Sequence, residues 1–218
     1  MLFKLSPSSL SLMKECPRCF WLTQHNVWKR PAGIFPSLPS GMDKILKEHF
    51  NKFMEKGELP PELCNNKHCK DMKLFNDHTL LAIWRSNFKG IQWIDKQGNI
   101  LKGAVDNILM KGKKLIVLDY KTRGYELKED TAEHYQDQLD IYNFLLRKAG
   151  YGTEDFAFLL FYVPKEVLET GEVVFDTTLV KMNINVNNAE KIFNNAIKLL
   201  NSTCPKEGCE WCKLIKNG

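Results

Sequence analysis

The sequence contains no run of about 18 consecutive apolar residues, the length that a membrane-spanning helix requires. Its N-terminus, MLFKLSPSSLSLMKECPR, lacks an uninterrupted apolar segment followed by a cleavage site, so no secretory signal peptide is indicated. Internal repeats, low-complexity tracts and dividing linkers are also absent. We therefore expect a cytoplasmic protein without a membrane segment, built as a single domain over its 218 residues.

A strong charge of one sign is also lacking. The 31 Lys and Arg against 26 Asp and Glu give a formal net charge of +5, which permits a local basic groove but does not by itself indicate nucleic-acid binding. The seven cysteines are an odd number in a chain without an export signal. They favour reduced thiols or metal ligands over a disulfide framework.

Four of these cysteines form two CxxC pairs near opposite ends of the chain, and a fifth lies just upstream of the second pair. They are Cys16 and Cys19, Cys209 and Cys212, and the additional Cys204. Four thiolates suit a tetrahedral Zn²⁺ or an iron–sulfur cluster. We predict that residues 1–30 and 202–218 together form a metal-binding module that joins the two chain ends.

The stretch GAVDNILMKGKKLIVLDYKT, residues 103–122, is the most informative part of the sequence. Asp119 and Lys121 are two apart in an apolar run, so on a strand their side chains leave the same face while Tyr120 points to the other. Asp106 belongs to a preceding β-like run, and MKGKK between the two runs is typical of a hairpin turn. Three functional groups are therefore expected to meet at one end of a two-stranded ribbon.

The residue types fit metal-dependent hydrolysis of a phosphodiester. Aspartates are hard oxygen ligands suited to Mg²⁺ or Mn²⁺, and a neighbouring lysine can orient or deprotonate the attacking water. Burying two carboxylates together costs several kcal/mol unless a cation compensates them. The arrangement itself therefore predicts a metal ion.

A third motif follows on a predicted helix. HYQDQLDIY contains Gln138 and Tyr142 four residues apart, which places the amide and the phenol on one helix face. The ordered set of G-x-x-D at Gly103, D-Y-K-T at Asp119 and Q-x-x-x-Y at Gln138 resembles the core of the PD-(D/E)XK nuclease superfamily, in its RecB-like branch.

That resemblance implies an α/β (α+β) fold with a restriction-endonuclease-like core, in which helices flank a mixed central sheet. It implies a divalent-metal-dependent DNA nuclease that hydrolyses phosphodiester bonds, as an exonuclease on single-stranded or end-containing DNA in repair, recombination or defence, with protein partners that the sequence does not identify. The alternative is a non-catalytic nucleic-acid-binding accessory subunit with a structural metal site.

The resemblance also assigns roles to individual residues. Asp106 and Asp119 would ligate Mg²⁺ or Mn²⁺, with the Tyr120 carbonyl as a further ligand. Lys121 would position the nucleophilic water, while Gln138 and Tyr142 would hold DNA or Lys121 itself.

RecB-like nucleases carry an additional acidic or histidine group on the helix before the core strands. The pattern of residues 41–57 predicts that helix, but Ile45 stands where a Gly-x-x-x-His motif beginning at Gly41 would have its histidine. Asp43, Glu48 and His49 are the available candidates for the third ligand.

The AddB nuclease domain and the CRISPR-associated adaptation exonucleases, which this chain resembles, carry a [4Fe–4S] cluster held by one early and three late cysteines. Two sets therefore compete. Cys16, Cys204, Cys209 and Cys212 would hold a cluster, whereas Cys16, Cys19, Cys209 and Cys212 would hold zinc or a cluster. The C-x4-C-x2-C spacing of the late cysteines departs from the family order, and we prefer the second set.

The remaining elements follow from periodicity and from breaking residues. Residues 30–40 and 60–72 are predicted as loops, 131–148 and 186–202 as helices, and 156–163 and 172–184 as strands. A turn over residues 95–99 is expected to continue into the 103–122 ribbon as an antiparallel meander.

Overall fold

The computed structural model describes residues 1–213 and 215. Within them the helices are α1 (Pro7–Glu15), α2 (Pro17–Gln24), α3 (Ser37–Lys56), α4 (Pro61–Cys64), α5 (His78–Trp84), α6 (Gln136–Lys148), α7 (Val186–Leu200) and α8 (Glu210–Lys213). The strands are β1 (Lys4–Leu5), β2 (Met72–Leu74), β3 (Ile91–Ile94), β4 (Ile100–Gly103), β5 (Asn107–Lys111), β6 (Lys114–Thr122), β7 (Phe156–Val167) and β8 (Val173–Asn183).

The central sheet has five strands in the order β2-β5-β6-β7-β8. β6 and β7 run parallel and the other neighbours are antiparallel, so the sheet is mixed. A parallel pair requires a crossover connection, and α6 supplies it between β6 and β7. A second sheet has three strands in the order β1-β4-β3. The predicted mixed sheet flanked by helices is confirmed.

β5 and β6 form the predicted hairpin. Lys111 pairs with Lys114 across a two-residue turn, and Gly112 in that turn has φ 58°, a backbone conformation that favours glycine. The apolar run of β6 lies at the centre of the sheet and is buried from Leu115 to Tyr120. Burial on both faces explains why this strand reads as a continuous hydrophobic run.

Helices cover the two faces of β6 in the way that strand alternation requires. On one face the ring of Tyr120 packs against Phe50 of α3, with 4.7 Å between ring centroids. On the other face Lys121 meets Gln138 of α6. α3 therefore covers the Tyr120 face of the strand end, and α6 covers the face that carries Lys121.

Several predicted boundaries were wrong. α3 begins at Ser37, inside the predicted 30–40 loop, because Pro39 lies in the first helical turn, where its missing N–H would have had no partner. α6 begins at Gln136 after a 3₁₀ turn over Glu133–Tyr135, and the predicted 60–72 loop contains α4 and a 3₁₀ turn over Lys67–Cys69.

The predicted meander was also wrong. β3 and β4 form an antiparallel hairpin around the 95–99 turn, but β4 then pairs with β1, whereas β5 pairs with β2 and β6 in the other sheet. Among the described helices, none has an apolar stretch long enough to cross a bilayer.

Candidate active site and metal-binding cysteines

Asp106 and Asp119 lie together at the end of the β5–β6 hairpin. Asp106 directly precedes β5, and its Oδ2 accepts a hydrogen bond of 2.9 Å from the backbone N–H of Tyr120. Asp119 lies in β6 and is 1% exposed. The bond to Tyr120 therefore holds the first carboxylate beside the strand segment that carries the second.

The Asp119 carboxyl is buried beside a second carboxyl, and its pKa is raised. Burial and, after it, the negative charge of Asp106 raise the pKa of the Asp119 carboxyl to about 7, although Lys121 opposes the shift. Its Oδ2 is buried and forms an ion pair with Lys121. Two neighbouring carboxylates, one of them fully buried, are hard oxygen donors whose repulsion a cation relieves, so this donor set fits a divalent metal ion.

Lys121 is held from three sides. Its ammonium pairs with Asp119, donates a hydrogen bond of 3.1 Å to Gln138 Oε1, and lies 4.6 Å from the centre of the Tyr135 ring. Burial alone would lower the pKa of Lys121, but the attraction of Asp119 and then Asp106 outweighs it, and the pKa is raised. The lysine is therefore a fixed cation in this structure.

Gln138 connects the lysine to Tyr142. Its Nε2 donates a hydrogen bond of 2.7 Å to Tyr142 Oη, so the amide uses its oxygen for one neighbour and its nitrogen for the other. Gly103 leaves the space that the tyrosine ring occupies, since a Cβ there would lie 2.8 Å from two carbons of that ring. The glycine and the Q-x-x-x-Y residues, which are far apart in sequence, are thus in direct contact.

α3 contributes a lysine that the sequence reasoning missed. Lys47 Nζ lies 2.7 Å from Asp43 Oδ1 and 3.2 Å from Asp106 Oδ1, so it stands between the two carboxylates. Its spacing of four residues from Asp43 could have indicated this shared helix face. Glu48, in contrast, is exposed, and His49 pairs with Glu62 at 3.1 Å.

Two further residues support the site without having been predicted. Tyr135 lies three residues before Gln138, on the adjoining helical turn, which is the signal that could have identified it. Arg85 donates hydrogen bonds of 2.7 Å to the Asp106 carbonyl and to Asn51 Oδ1. Because Arg85 connects α5 to α3 and to the start of β5, no local sequence pattern indicates its role.

The converging side chains line a pocket of about 250 Å³ that contains Asp43, Asp106, Asp119, Lys121 and Gln138. A larger pocket of about 450 Å³ adjoins it and shares four residues with it, namely Asn87, Ala104, Gln138 and Tyr142. Lys102 and the first residues of α1 line this second pocket.

The two CxxC pairs come from opposite ends of the sequence and converge in the structure. Cys16, Cys19, Cys209 and Cys212 place their Sγ atoms within 4.8 Å of one another. Across the described residues this is the one group of three or more ligand side chains that is so closely spaced. Cys204 lies outside the group, with its Sγ 3.7 Å from the Pro205 carbonyl.

The first cysteine pair lies at a junction between two helices. Cys16 ends α1 and begins α2, where its Sγ accepts a 3.4 Å hydrogen bond from the Cys19 N–H. In the second pair, burial opposes ionisation of Cys209, but hydrogen bonds from the Cys212 backbone and from neighbouring thiols lower its pKa to about 6. Cys209 thus favours thiolate, the form that binds metals, whereas burial raises the pKa of Cys19 and of Cys212.

Comparison with known proteins relates the chain to a family. The sequence matches the family model of the PD-(D/E)XK nuclease superfamily over residues 4–216. A crystal structure of SSO0001 is among the similar solved structures, with 16% sequence identity, a TM-score of 0.42, and an alignment that covers 91% of this chain and 77% of that chain. No curated protein matches the sequence.

Proposed function

Because this chain belongs to the PD-(D/E)XK nuclease superfamily, we propose that it is a divalent-metal-dependent DNA nuclease of the RecB-like type, which hydrolyses phosphodiester bonds. One observation supports the proposal above the others. Asp106, Asp119 and Lys121 converge in one pocket, and Gln138 holds the lysine there. A module that only binds nucleic acid has no need of this complete set.

Asp106 and Asp119 would hold Mg²⁺ or Mn²⁺, with the Tyr120 carbonyl as a further predicted ligand. The raised pKa of the buried Asp119 carboxyl beside Asp106 supports this assignment, since a divalent cation would compensate both negative charges. Asp43 is the α3 candidate that lines the same pocket, so it is the third ligand that we favour. When bound, such an ion polarises a phosphate oxygen and lowers the pKa of water.

Lys121 would position the attacking water and neutralise charge that develops on the phosphate. Gln138 directs it by accepting one of its three N–H groups, which leaves the others for the carboxylate and for substrate. Tyr142 fixes the orientation of the Gln138 amide in turn. Of these three residues, only Lys121 would therefore contact the reacting atoms. Gln138 and Tyr142 would act by fixing its position.

The substrate that we propose is single-stranded or end-containing DNA, cleaved as an exonuclease would cleave it. The reaction pocket is small and its larger neighbour carries Lys102, an arrangement that suits one phosphate and an adjoining nucleotide of a single strand.

A cleavage assay on end-labelled single-stranded DNA with Mn²⁺ or Mg²⁺ tests the proposal. We expect Asp119→Asn and Lys121→Met to lower the rate at least about 100-fold while DNA binding persists. The exposed pair Lys165 and Asp176, 3.5 Å apart on β7 and β8, provides matched controls with the same side-chain changes. Asp176→Asn and Lys165→Met should keep full activity.

Two results would contradict the proposal. If the wild-type protein binds DNA but cleaves none with any divalent metal, the chain is an accessory subunit. If the control variants lose as much activity as the site variants, the loss reflects general damage and not the loss of active-site groups.

A further inference from the structure

The four clustered cysteines allow the kind of metal site to be identified from their spacing. Four Sγ pairs lie within 4.0 Å: Cys16 to Cys212 is 3.6 Å, Cys19 to Cys209 is 3.5 Å, Cys19 to Cys212 is 3.0 Å and Cys209 to Cys212 is 4.0 Å. All four atoms lie within 4.8 Å of one another. The sulfurs are thus in mutual contact or nearly so.

Four thiolates that bind a single tetrahedral metal ion lie close to one another. With metal–sulfur bonds of about 2.3 Å, the edges of a tetrahedron of thiolates measure about 3.8 Å. In a four-iron cluster each thiolate binds a different iron, so the iron–sulfide core lies between the sulfurs and keeps them well apart. The distances of 3.5, 3.6 and 4.0 Å lie close to this tetrahedral edge and the Cys19–Cys212 distance of 3.0 Å is shorter, so the sulfurs are spaced for one ion and not for a cluster.

The cysteines are closely packed on the side of the Gly208 loop. Cys16, Cys19 and Cys212 are buried. The loop that leads to the second pair packs tightly, because a Cβ at Gly208 would lie 2.7 Å from Cys212 Cβ and 3.2 Å from Cys212 Sγ. A larger inorganic core would have to displace this loop.

We propose that Cys16, Cys19, Cys209 and Cys212 bind one zinc ion as a tetrahedral tetrathiolate site, and that Cys204 is not a ligand. Zinc is the ion that four cysteine thiolates in two CxxC pairs most commonly hold in structural sites. Binding displaces the protons of the thiols, and Zn²⁺ with four thiolates carries a net charge of −2.

Arg30 lies where this negative charge needs a counterion. Its NH2 atom donates to Cys209 Sγ at 3.5 Å, and its NH1 atom pairs with Glu15 at 2.7 Å. The guanidinium therefore compensates the site from the side of the half-exposed thiolate. Because zinc has no redox chemistry, the site would join α2 to α8 permanently and would not act as an electron carrier.

The test is the composition of the full-length protein, purified without oxygen from cells supplied with both iron and zinc. We expect about one zinc per chain by mass spectrometry, no acid-labile sulfide and no brown colour. Replacing the ion with Co²⁺ should produce the intense sulfur-to-cobalt absorption of a tetrahedral tetrathiolate. Neither readout depends on nuclease activity, so the failure of the proposed function would leave this inference intact.

Variants identify the ligands. Cys209→Ser changes the most exposed of the four and should reduce zinc content and thermal stability, whereas Cys204→Ser, the matched control, should retain both. About four irons with sulfide per chain, a requirement for Cys204, a disulfide within the group, or a chain that binds no metal would each overturn the proposal. One iron per chain without sulfide would overturn the assignment to zinc.

Discussion

The hydrogen-bond relay from Tyr142 through Gln138 to Lys121 leads to a quantitative prediction. Replacing Gln138 with Met preserves the length of the side chain but removes the acceptor 3.1 Å from the ammonium and the donor 2.7 Å from the phenol. Lys121 would keep its ion pair with Asp119 and lose the group that fixes its direction.

A hydrogen bond to a charged group contributes about 1.5–3 kcal/mol. If that energy orients Lys121 in the transition state, Gln138→Met should lower the single-turnover cleavage rate by roughly 10- to 150-fold. Tyr142→Phe leaves the bond from Lys121 to Gln138 intact and breaks a neutral one, worth about 1 kcal/mol, so a loss of about fivefold is expected.

The double variant distinguishes a relay from two independent contacts. Since the tyrosine acts on the lysine only through Gln138, Tyr142→Phe should cost little more once Gln138 is already Met. Single-turnover cleavage of labelled single-stranded DNA, with binding measured separately, gives the four rates of this cycle. The reasoning would be refuted if the rate loss of the double variant equalled the product of the two single losses. It would also be refuted if Tyr142→Phe lost more activity than Gln138→Met.

Three further predictions test other parts of the structure. Gly103→Ala should lower the free energy of unfolding by about 1–3 kcal/mol in denaturant titrations, because the new Cβ overlaps the Tyr142 ring; an unchanged midpoint would contradict this. Lys47→Met should tighten Mn²⁺ binding about tenfold by calorimetry, since the ammonium that competes for Asp106 is removed; unchanged or weaker binding would show that Lys47 does not compete. Asp95→Ala should cost about 1–2 kcal/mol of stability at pH 7, because the carboxylate accepts three hydrogen bonds in its turn. Burial would raise the pKa of Asp95, but these hydrogen bonds outweigh it and the pKa is lowered. The stabilisation is therefore complete above the unfolded-state pKa of about 3.9 and is lost as the pH falls through the lower pKa of the folded state. A stability difference between Asp95→Ala and wild type that does not shrink in acid would contradict this.

Sequence reasoning worked where one regular element carries the whole pattern. A spacing of two on a strand put Asp119 and Lys121 on one face, and a spacing of four on a helix put Gln138 beside Tyr142. It failed where local signals compete. Proline at position 39 predicts a loop, yet a proline is tolerated in the first turn of a helix, and α3 begins at Ser37.

The amino-acid sequence by itself determined the ordered motifs, the hairpin that carries two of them and the pairing of cysteines near the chain ends. These features depend on backbone periodicity and turn chemistry, which act over a few residues. Only the tertiary structure decided that Lys47 stands between Asp43 and Asp106, that Gly103 makes room for Tyr142, and that Cys204 lies outside the cluster. Those outcomes depend on how separate elements pack against one another, and close packing is a property of the assembled core that no local spacing encodes.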